Sequence, residues 1–434
     1  MKISRLSLEN FKGFKDFNQK LNARFTLIVG KNGAGKTSIL DALSVAFGSF
    51  LLGIPVTSSR HIRKDEALET EREVEGAQDF VSAFPVRIEA EGRITHPLTG
   101  QEQTVIWARE LSSSQGRTTT KEARVLSVIA EDAYKAITAG ENPTMPLLSY
   151  YGAGRLWDRP LRPKRKQRPS RFDAYHYSHE PQVSPQDLLA WLRRERMLEF
   201  ETQRPSERLL AWRQAVESVF DEPVEVTYSP SRDRIEVCFS ERQQTVAYGN
   251  LSHGQRNILA MVGDIAFKAI ILNPHLGAGA VRTAQGIVLI DEIDLHLHPT
   301  WQRLIIPALL QAFPGLQFVA TTHSPFIIQS LSEGVMLDLD EMEVDDRVYN
   351  MSLIDIVEDV QKVENADRSA PYMQQVRNAE HYLLEIENLR AIEDPQEKDQ
   401  RTKELDQMER RFQDPGLEAL MKIERIMRLK QDKA

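Results

Sequence analysis

The residues with the clearest chemical content are Gly30, Lys31, Asn32, Gly33, Ala34, Gly35, Lys36 and Thr37. Closely spaced glycines let backbone N–H groups crowd around phosphate oxygens, and a helix starting at this point adds partial positive charge. Lys36 is then placed to reach the β- and γ-phosphates of a nucleoside triphosphate. Thr37 offers a hydroxyl to Mg²⁺, and Ser38 follows as a further candidate contact. A second constellation is Asp291-Glu292 at the end of the apolar run Gly286-Ile287-Val288-Leu289-Ile290. Asp291 is suited to holding Mg²⁺, and Glu292 to orienting or deprotonating an attacking water. Ser252, Gly254 and Gln255 at a helix start, and His323 at the end of another apolar run, complete the candidates. Alone, a Ser-x-Gly helix start is a weak signal, because many helix caps look like this.

These groups need elements to carry them. Phe25-Thr26-Leu27-Ile28-Val29 reads as a buried strand, and the apolar spacing from Ser38 to Phe47 as a helix. Strand, glycine-rich loop and helix are the context a phosphate-binding loop requires. The apolar stretch Ile258 to Leu272 reads as a helix opened by Leu251–Gln255 and stopped by Asn273-Pro274. Gly286–Ile290 and Gln317–Thr322 read as strands. If they pair in parallel, His323 and Asp291 share one sheet edge, the edge where ligands bind. His296 and His298 with Asp294 have metal-ligand spacing, but nothing nearby completes a ligand set. A turn into a helix over Thr300–Phe313 accounts for them.

The remaining chain is read in order. Residues 2–9 alternate as a half-buried strand, followed by a turn that exposes Lys12. Pairing of this strand with one over Arg24–Val29 would bring Lys12 beside the nucleotide; otherwise it is a solvated base. Residues 48–79 read as a surface loop or short helix. Phe84–Ala90 and Thr104–Trp107 read as a small antiparallel insertion, and a helix is expected near 121–139. Pro146–Tyr151 reads as a buried strand. The segment Arg155–Arg171 is rich in bases: Arg159, Arg162, Lys164, Arg165, Lys166 and Arg168. With Trp157, Phe172, Tyr175 and Tyr177 available for stacking, it is a candidate nucleic-acid contact; a solvated loop or a contact to an acidic partner remain open readings. Two helices over 185–220 and strands at Val224–Tyr228 and Arg234–Phe239 follow. A last strand is expected at Val335–Asp340, and charged helices from about Ile354, broken near Asp394-Pro395 and Asp414-Pro415-Gly416.

Composition sets outer bounds. The 434 residues carry a net charge of −8, which disfavours indiscriminate nucleic-acid binding by the whole surface. A single cysteine, Cys238, excludes an internal disulfide framework and fits a reducing compartment. The first residues lack a signal-peptide pattern and no apolar run is long enough to span a bilayer, so a cytoplasmic protein with no membrane partner is expected.

Together these motifs resemble the ABC-type ATPases of the SMC and RecF class. The resemblance rests on a Walker A loop (Gly30–Thr37), a signature (Leu251–Gln255), a Walker B strand ending in Asp291-Glu292, a D-loop near Leu295–His298 and a switch histidine, His323. It implies an α/β fold: an ABC-type P-loop ATPase head with an antiparallel β insertion, a helical lobe and a helical C-terminal region. The expected boundaries are 1–350 for the head, with the lobe at about 152–222, and 351–434 for a helical interaction region. ATP and Mg²⁺ are the implied cofactors. Ser252 and Gly254 of one head are implied to complete the ATP site of another, making the protein its own partner in a head-to-head dimer or higher oligomer. His253 departs from the usual signature glycine, and no glutamine stands where Tyr151–Arg155 would form the Q-loop. No sustained heptads predict a long coiled-coil arm.

More narrowly, Tyr150–Arg155, Asp291–Pro299 and Thr321–Pro325 resemble the stand-alone bacterial ATPases of the Septu and retron anti-phage systems. That resemblance implies a sensor or regulator that controls a separate HNH nuclease, without nuclease activity in this chain. The alternative is a RecF-type DNA-maintenance ATPase that binds DNA, or RNA, directly. Asp338 and Asp340 are rejected as a Toprim nuclease pair, because the helical tail supplies no strands for another α/β domain.

Overall fold

The computed structural model describes residues 1–74, 77–154, 170–179, 185–363, 368–392, 394–409, 412 and 415–430. The basic residues Arg159, Arg162, Lys164, Arg165, Lys166 and Arg168 lie outside the described residues. The chain divides into two compact units, Met1–Ile356 and Val357–Ala434.

The first unit opens with β1 (Lys2–Phe11), β2 (Phe14–Lys20) and β3 (Phe25–Val29), then helix α1 (Lys36–Leu51). β4 (Glu69–Val74), β5 (Ala77–Ser82), β6 (Val86–Thr95), β7 (Glu102–Leu111), α2 (Arg124–Thr138) and β8 (Leu147–Tyr151) follow. Next come α3 (Pro185–Thr202), α4 (Glu207–Glu217), β9 (Val224–Ser229), β10 (Arg234–Phe239), β11 (Gln244–Ala247) and α5 (His253–Leu272). The unit continues with β12 (Gly286–Ile290), α6 (Ile305–Ala312), β13 (Leu316–Thr321), β14 (Val335–Asp338) and β15 (Glu343–Asp345).

A six-stranded sheet in the order β15-β14-β3-β13-β12-β8 is parallel apart from β15. Every residue of β3, β8, β12 and β13 is buried. Parallel strands covered on both faces read as continuous apolar runs, which is why these were visible in sequence. A four-stranded antiparallel sheet, β2-β1-β6-β7, stands apart. α1 packs against β6 and β7 of that sheet and against β8, β12 and β13 of the other. Covered from both sides, α1 is buried almost throughout from Ile39 onward. It is an α/β fold: a mostly parallel sheet, an antiparallel β layer and a set of helices.

Several expectations are corrected. β1 pairs with β2 and β6, not with the strand before the phosphate loop, which belongs to the parallel sheet. β2 went unread because Phe14-Lys15-Asp16-Phe17-Asn18-Gln19-Lys20 has few apolar residues to mark a period. The reading of 48–79 as loop or short helix overlooked the β4–β5 hairpin. The helix expected over Thr300–Phe313 is a short turn, Pro299–Gln302, followed by α6. Pro307 cannot donate to the preceding turn, so a helix restarts with it in its first turn. β14 is followed by β15 and is not the last strand.

The second unit holds α7 (Ala370–Ala391), α8 (Pro395–Glu409) and α9 (Pro415–Lys430). Its core is Ala379, Tyr382, Ile386, Leu389, Leu405, Phe412 and Met421. Among the described residues no helix is long and apolar enough to cross a membrane.

Candidate active site at the carboxyl edge of the parallel sheet

The phosphate loop leaves β3 at the carboxyl edge and enters α1. Gly30, Gly33 and Gly35 have φ of 146°, 87° and 95°, a region L side chains rarely enter. At Gly35 a Cβ would also lie 2.6 Å from the Phe14 ring. Lys31, Asn32 and Gly33 form the exposed crest, and Ala34 and Ser38 are half-buried. Lys36 Nζ donates to the carbonyls of Gly30 (2.8 Å) and Lys31 (3.0 Å), folding its ammonium over the loop. Burial pulls the Lys36 pKa below the ordinary lysine value, against the opposing charges of Asp340, Asp291, Glu292 and Asp294.

Parallel pairing of β12 with β13 brings the acidic residues to the same edge. Thr37 Oγ1 donates to Asp291 Oδ2 at 3.0 Å. Thr321 Oγ1 donates to Asp291 Oδ1 at 2.6 Å and accepts the Glu292 amide at 2.8 Å. Asp291 is buried while Glu292 is exposed with φ of 49°, so the two adjacent carboxylates point into different environments. His323 is exposed at this edge, two residues beyond the end of β13.

A cavity of about 680 Å³ opens beside Thr37 and Asp291 and is also lined by Asp41, Arg60, Tyr150 and Gly152. Asp41 lies one turn beyond Thr37 on α1. It takes ion pairs from Lys12 and Arg60, and Glu66 takes the same two cations at 3.7 and 2.6 Å. Lys12 is therefore neither a solvated base nor a free group; it is held by Asp41 on α1 and by Glu66 in the turn before β4.

Sequence reasoning missed Thr321 and Asp340 as members of this edge. The Lys31 amide donates to Asp340 Oδ2 at 2.9 Å, and the Asp340 amide donates to Asp338 Oδ1 at 2.8 Å. The acidic pair weighed as a nuclease motif braces the phosphate loop instead. The signal was present: β14 is another apolar strand ending in carboxylates, and it lies beside β3.

Ser252, Gly254 and Gln255 are not brought to this cavity. Ser252 caps α5: its hydroxyl accepts the Gln255 amide (3.2 Å), and the Gln255 side chain accepts the Ser252 amide (3.1 Å). A Cβ on Gly254 would lie 2.7 Å from the His296 carbonyl oxygen, so only glycine lets this turn close onto the loop around His296. Asn257 Nδ2 donates to Leu295 O at 2.8 Å, and the His253 and His296 rings lie 5.6 Å apart. Ser252, His253, Gly254, Gln255 and His296 face a second cavity, of about 740 Å³, which also takes in His298 and Trp301. His298 serves as a helix cap, its ring accepting the Thr300 amide. Among the described residues no cluster of three or more His, Cys, Asp or Glu could hold a metal ion. For Mg²⁺ with a nucleotide the residues do fit. Thr37 and Asp291 converge at one end of the first cavity, beside a loop whose glycines expose its backbone.

Residues 25–329 match the protein family described as "AAA domain, putative AbiEii toxin, Type IV TA system". The "Retron Ec83 probable ATPase" of Escherichia coli is 26% identical over 407 residues, 78% of this chain and 71% of that protein. The "Septu protein PtuA" of Bacillus mycoides (strain KBAB4) is 28% identical over 355 residues, 79% of this chain and 41% of that protein. The chain thus spans less than half of that relative. An SMC head bound to the C-winged helix domain of ScpA superposes with a TM-score of 0.45 at 17% identity, over 78% of this chain and 94% of that one; a likeness at that level adds nothing to the assignment. With its phosphate loop, acidic strand end and polar β13 terminus all inside the matched span, the chain belongs to this AAA-domain family.

Proposed function

We propose that this protein binds and hydrolyses ATP with Mg²⁺, and that it acts in the bacterial cytoplasm as a sensor or regulator in anti-phage defence, controlling a separate HNH nuclease. The observation that carries the ATPase reading is the hydrogen-bonded series Thr37–Asp291–Thr321–Glu292 at the mouth of a cavity beside the phosphate loop. The defence reading is supported by what the similar retron and Septu proteins are named.

The chemistry assigned to each residue is in-line attack of water on the γ-phosphorus. Lys36 and the amides of Gly30–Thr37 bind and orient the β- and γ-phosphates. Thr37 and Asp291 would hold Mg²⁺, which would supply charge neutralisation at the phosphates. Glu292 positions the water and accepts its proton, and His323 contacts the γ-phosphate from the β13 side. Ser252, Gly254 and Gln255 act on the nucleotide of another copy, which is consistent with their facing a different cavity within one chain.

The test measures ATP turnover and particle mass together for wild type, Lys36→Ala and Glu292→Gln, with and without DNA. Both variants are expected to lose at least about a hundredfold in turnover, the scale of removing one group that stabilises transition-state charge. Glu292→Gln is expected to accumulate an ATP-bound assembly. Wild-type turnover in Glu292→Gln would remove that residue from the mechanism. Strong stimulation by DNA would favour the DNA-maintenance reading over the regulator. Copurification with an HNH nuclease encoded beside the gene tests the partner.

A further inference from the structure

An arginine taken fully out of water normally brings a carboxylate with it, because an unpaired buried charge is costly. Arg109 on β7 does not, although it is fully buried. Its Nε donates to the Thr119 carbonyl at 2.9 Å, its Nη2 lies 3.0 Å from His61 Nδ1, and its Nη1 has no partner among the described residues. Burial pulls its pKa down to about 10, which leaves it charged at pH 7. A guanidinium only donates and accepts nothing, so His61 Nδ1 must be the acceptor and carry no proton. Burial, reinforced by the Arg109 charge, holds His61 below the ordinary histidine pKa, so the ring is neutral at pH 7. A neutral imidazole with a bare Nδ1 carries its proton on Nε2. His61 also lines the cavity that holds Thr37 and Asp291. Its chain neighbours are pinned. Arg60 pairs with Asp41 and Glu66, and the amide and carbonyl of the buried Ile62 both bond the Thr118 hydroxyl, at 3.0 and 3.2 Å. Gly152, Ala153 and Gly154, which line the same cavity, bring no side-chain donor to it.

We propose that His61 is a nucleotide-binding residue that donates from Nε2 to the terminal phosphate of ATP, and that the buried Arg109 is its positioning residue. The assignment rests on the ATPase reading above. The cavity opens beside Thr37, where the phosphate loop ends, so the last phosphate of a bound nucleotide is the one that reaches into it. A phosphate oxygen is an acceptor and needs an N–H in front of it. The group behind the ring decides whether it finds one. A carboxylate or carbonyl behind Nδ1 would take the proton to that side and turn a bare, repelling Nε2 toward the phosphate. An arginine behind Nδ1 enforces the opposite tautomer. This accounts for a charge that is costly where it stands and that no carboxylate among the described residues relieves.

The test measures equilibrium binding rather than turnover, by calorimetry on the full chain with Mg²⁺ and either ADP or the non-hydrolysable ATP analogue adenylyl imidodiphosphate. His61→Ala is expected to bind the analogue about tenfold to a hundredfold more weakly, the scale of a hydrogen bond to a charged group, and to bind ADP as wild type does. His61→Gln, whose amide N–H reaches about as far as Nε2, should recover most of the loss; the shorter His61→Asn should not. Arg109→Met fills similar space without the charge. It is expected to show the same selective loss, and His61→Ala/Arg109→Met no greater loss than either alone, because the two residues act as one unit. Nitrogen NMR of histidine-labelled, nucleotide-free protein reads the tautomer directly from the resonances that vanish in His61→Gln. Equal weakening of ADP and the analogue, unchanged analogue binding in His61→Ala, additive losses in the double variant, or a proton on Nδ1 would each overturn the proposal. Those results leave the ATPase reading in place while wild type binds the analogue and Lys36→Ala does not. A wild type that binds neither nucleotide overturns both.

Discussion

The Thr321 hydroxyl holds two neighbours of unlike kind, donating to the buried Asp291 carboxylate and accepting the amide of the exposed Glu292. Thr321→Val keeps the shape and removes the hydroxyl. Hydrogen bonds to charged groups contribute about 1.5–3 kcal/mol, so turnover should fall by about tenfold to a hundredfold, with Thr321→Ser close to wild type. An ATPase assay on purified protein checks this. Asp41 belongs to the same neighbourhood. Burial alone would raise its pKa, but hydrogen bonds and charge from Arg60 and Lys12 outweigh burial and hold it below the ordinary aspartate value. A carboxylate with a depressed folded pKa adds stability above its unfolded pKa of about 3.8, and that stability is lost as pH falls through the folded value. Asp41→Asn should therefore be less stable than wild type at pH 7, by about 1.5–3 kcal/mol, the scale of a hydrogen bond to a charged group, since Glu66 still pairs with both cations. The gap should narrow in urea titrations run at pH values below about 4.

β8 and α5 are joined by a buried network that ties the sheet edge to the helix beginning at Ser252. Tyr151 Oη donates to Asp264 (2.8 Å), Lys268 Nζ lies 2.8 Å from the same carboxylate, and Lys268 also donates to Ser149 Oγ (3.0 Å). Burial, reinforced by the Asp264 charge, pushes the Tyr151 phenol well above its ordinary pKa, so it stays a donor. Asp264→Ala leaves Lys268 buried without its counter-charge and should cost about 3–5 kcal/mol in a denaturation experiment. Nothing in the sequence announced this network, because Tyr151, Asp264 and Lys268 converge only once β8 and α5 pack. What was legible follows from the same physics. β3, β12 and β13 are buried on both faces and show as mostly apolar runs, each ending at the edge that carries the candidate site residues. β2 and the β4–β5 hairpin carry mostly polar residues and gave no period to read. The glycine-rich loop, Asp291 and Glu292 were legible because their types and spacing are local in sequence and match what nucleotide chemistry would require. Thr321 and Asp340 were not, since their roles depend on which strands become neighbours.

The two compact units each have their own core. Unfolding under calorimetry should accordingly resolve into two transitions. Tyr382→Ala, which empties the centre of the smaller core and removes one of the two partners of Glu409, should lower one of them and leave the other in place. A single transition lowered as a whole would show that the units fold as one. The strand order has a further consequence during synthesis. β3 carries the phosphate loop early in the chain, but its neighbours on both sides, β13 and β14, are made near the end of the first unit. Asp291, Thr321 and the Asp340 brace on the loop arrive equally late. A ribosome therefore exposes the loop long before it releases the strands that hold it in place, and the nascent segment must wait unpaired. A prematurely terminated chain carries the most recognisable motif of the protein without the means to use it, so nucleotide retention marks only chains whose first unit has been made in full.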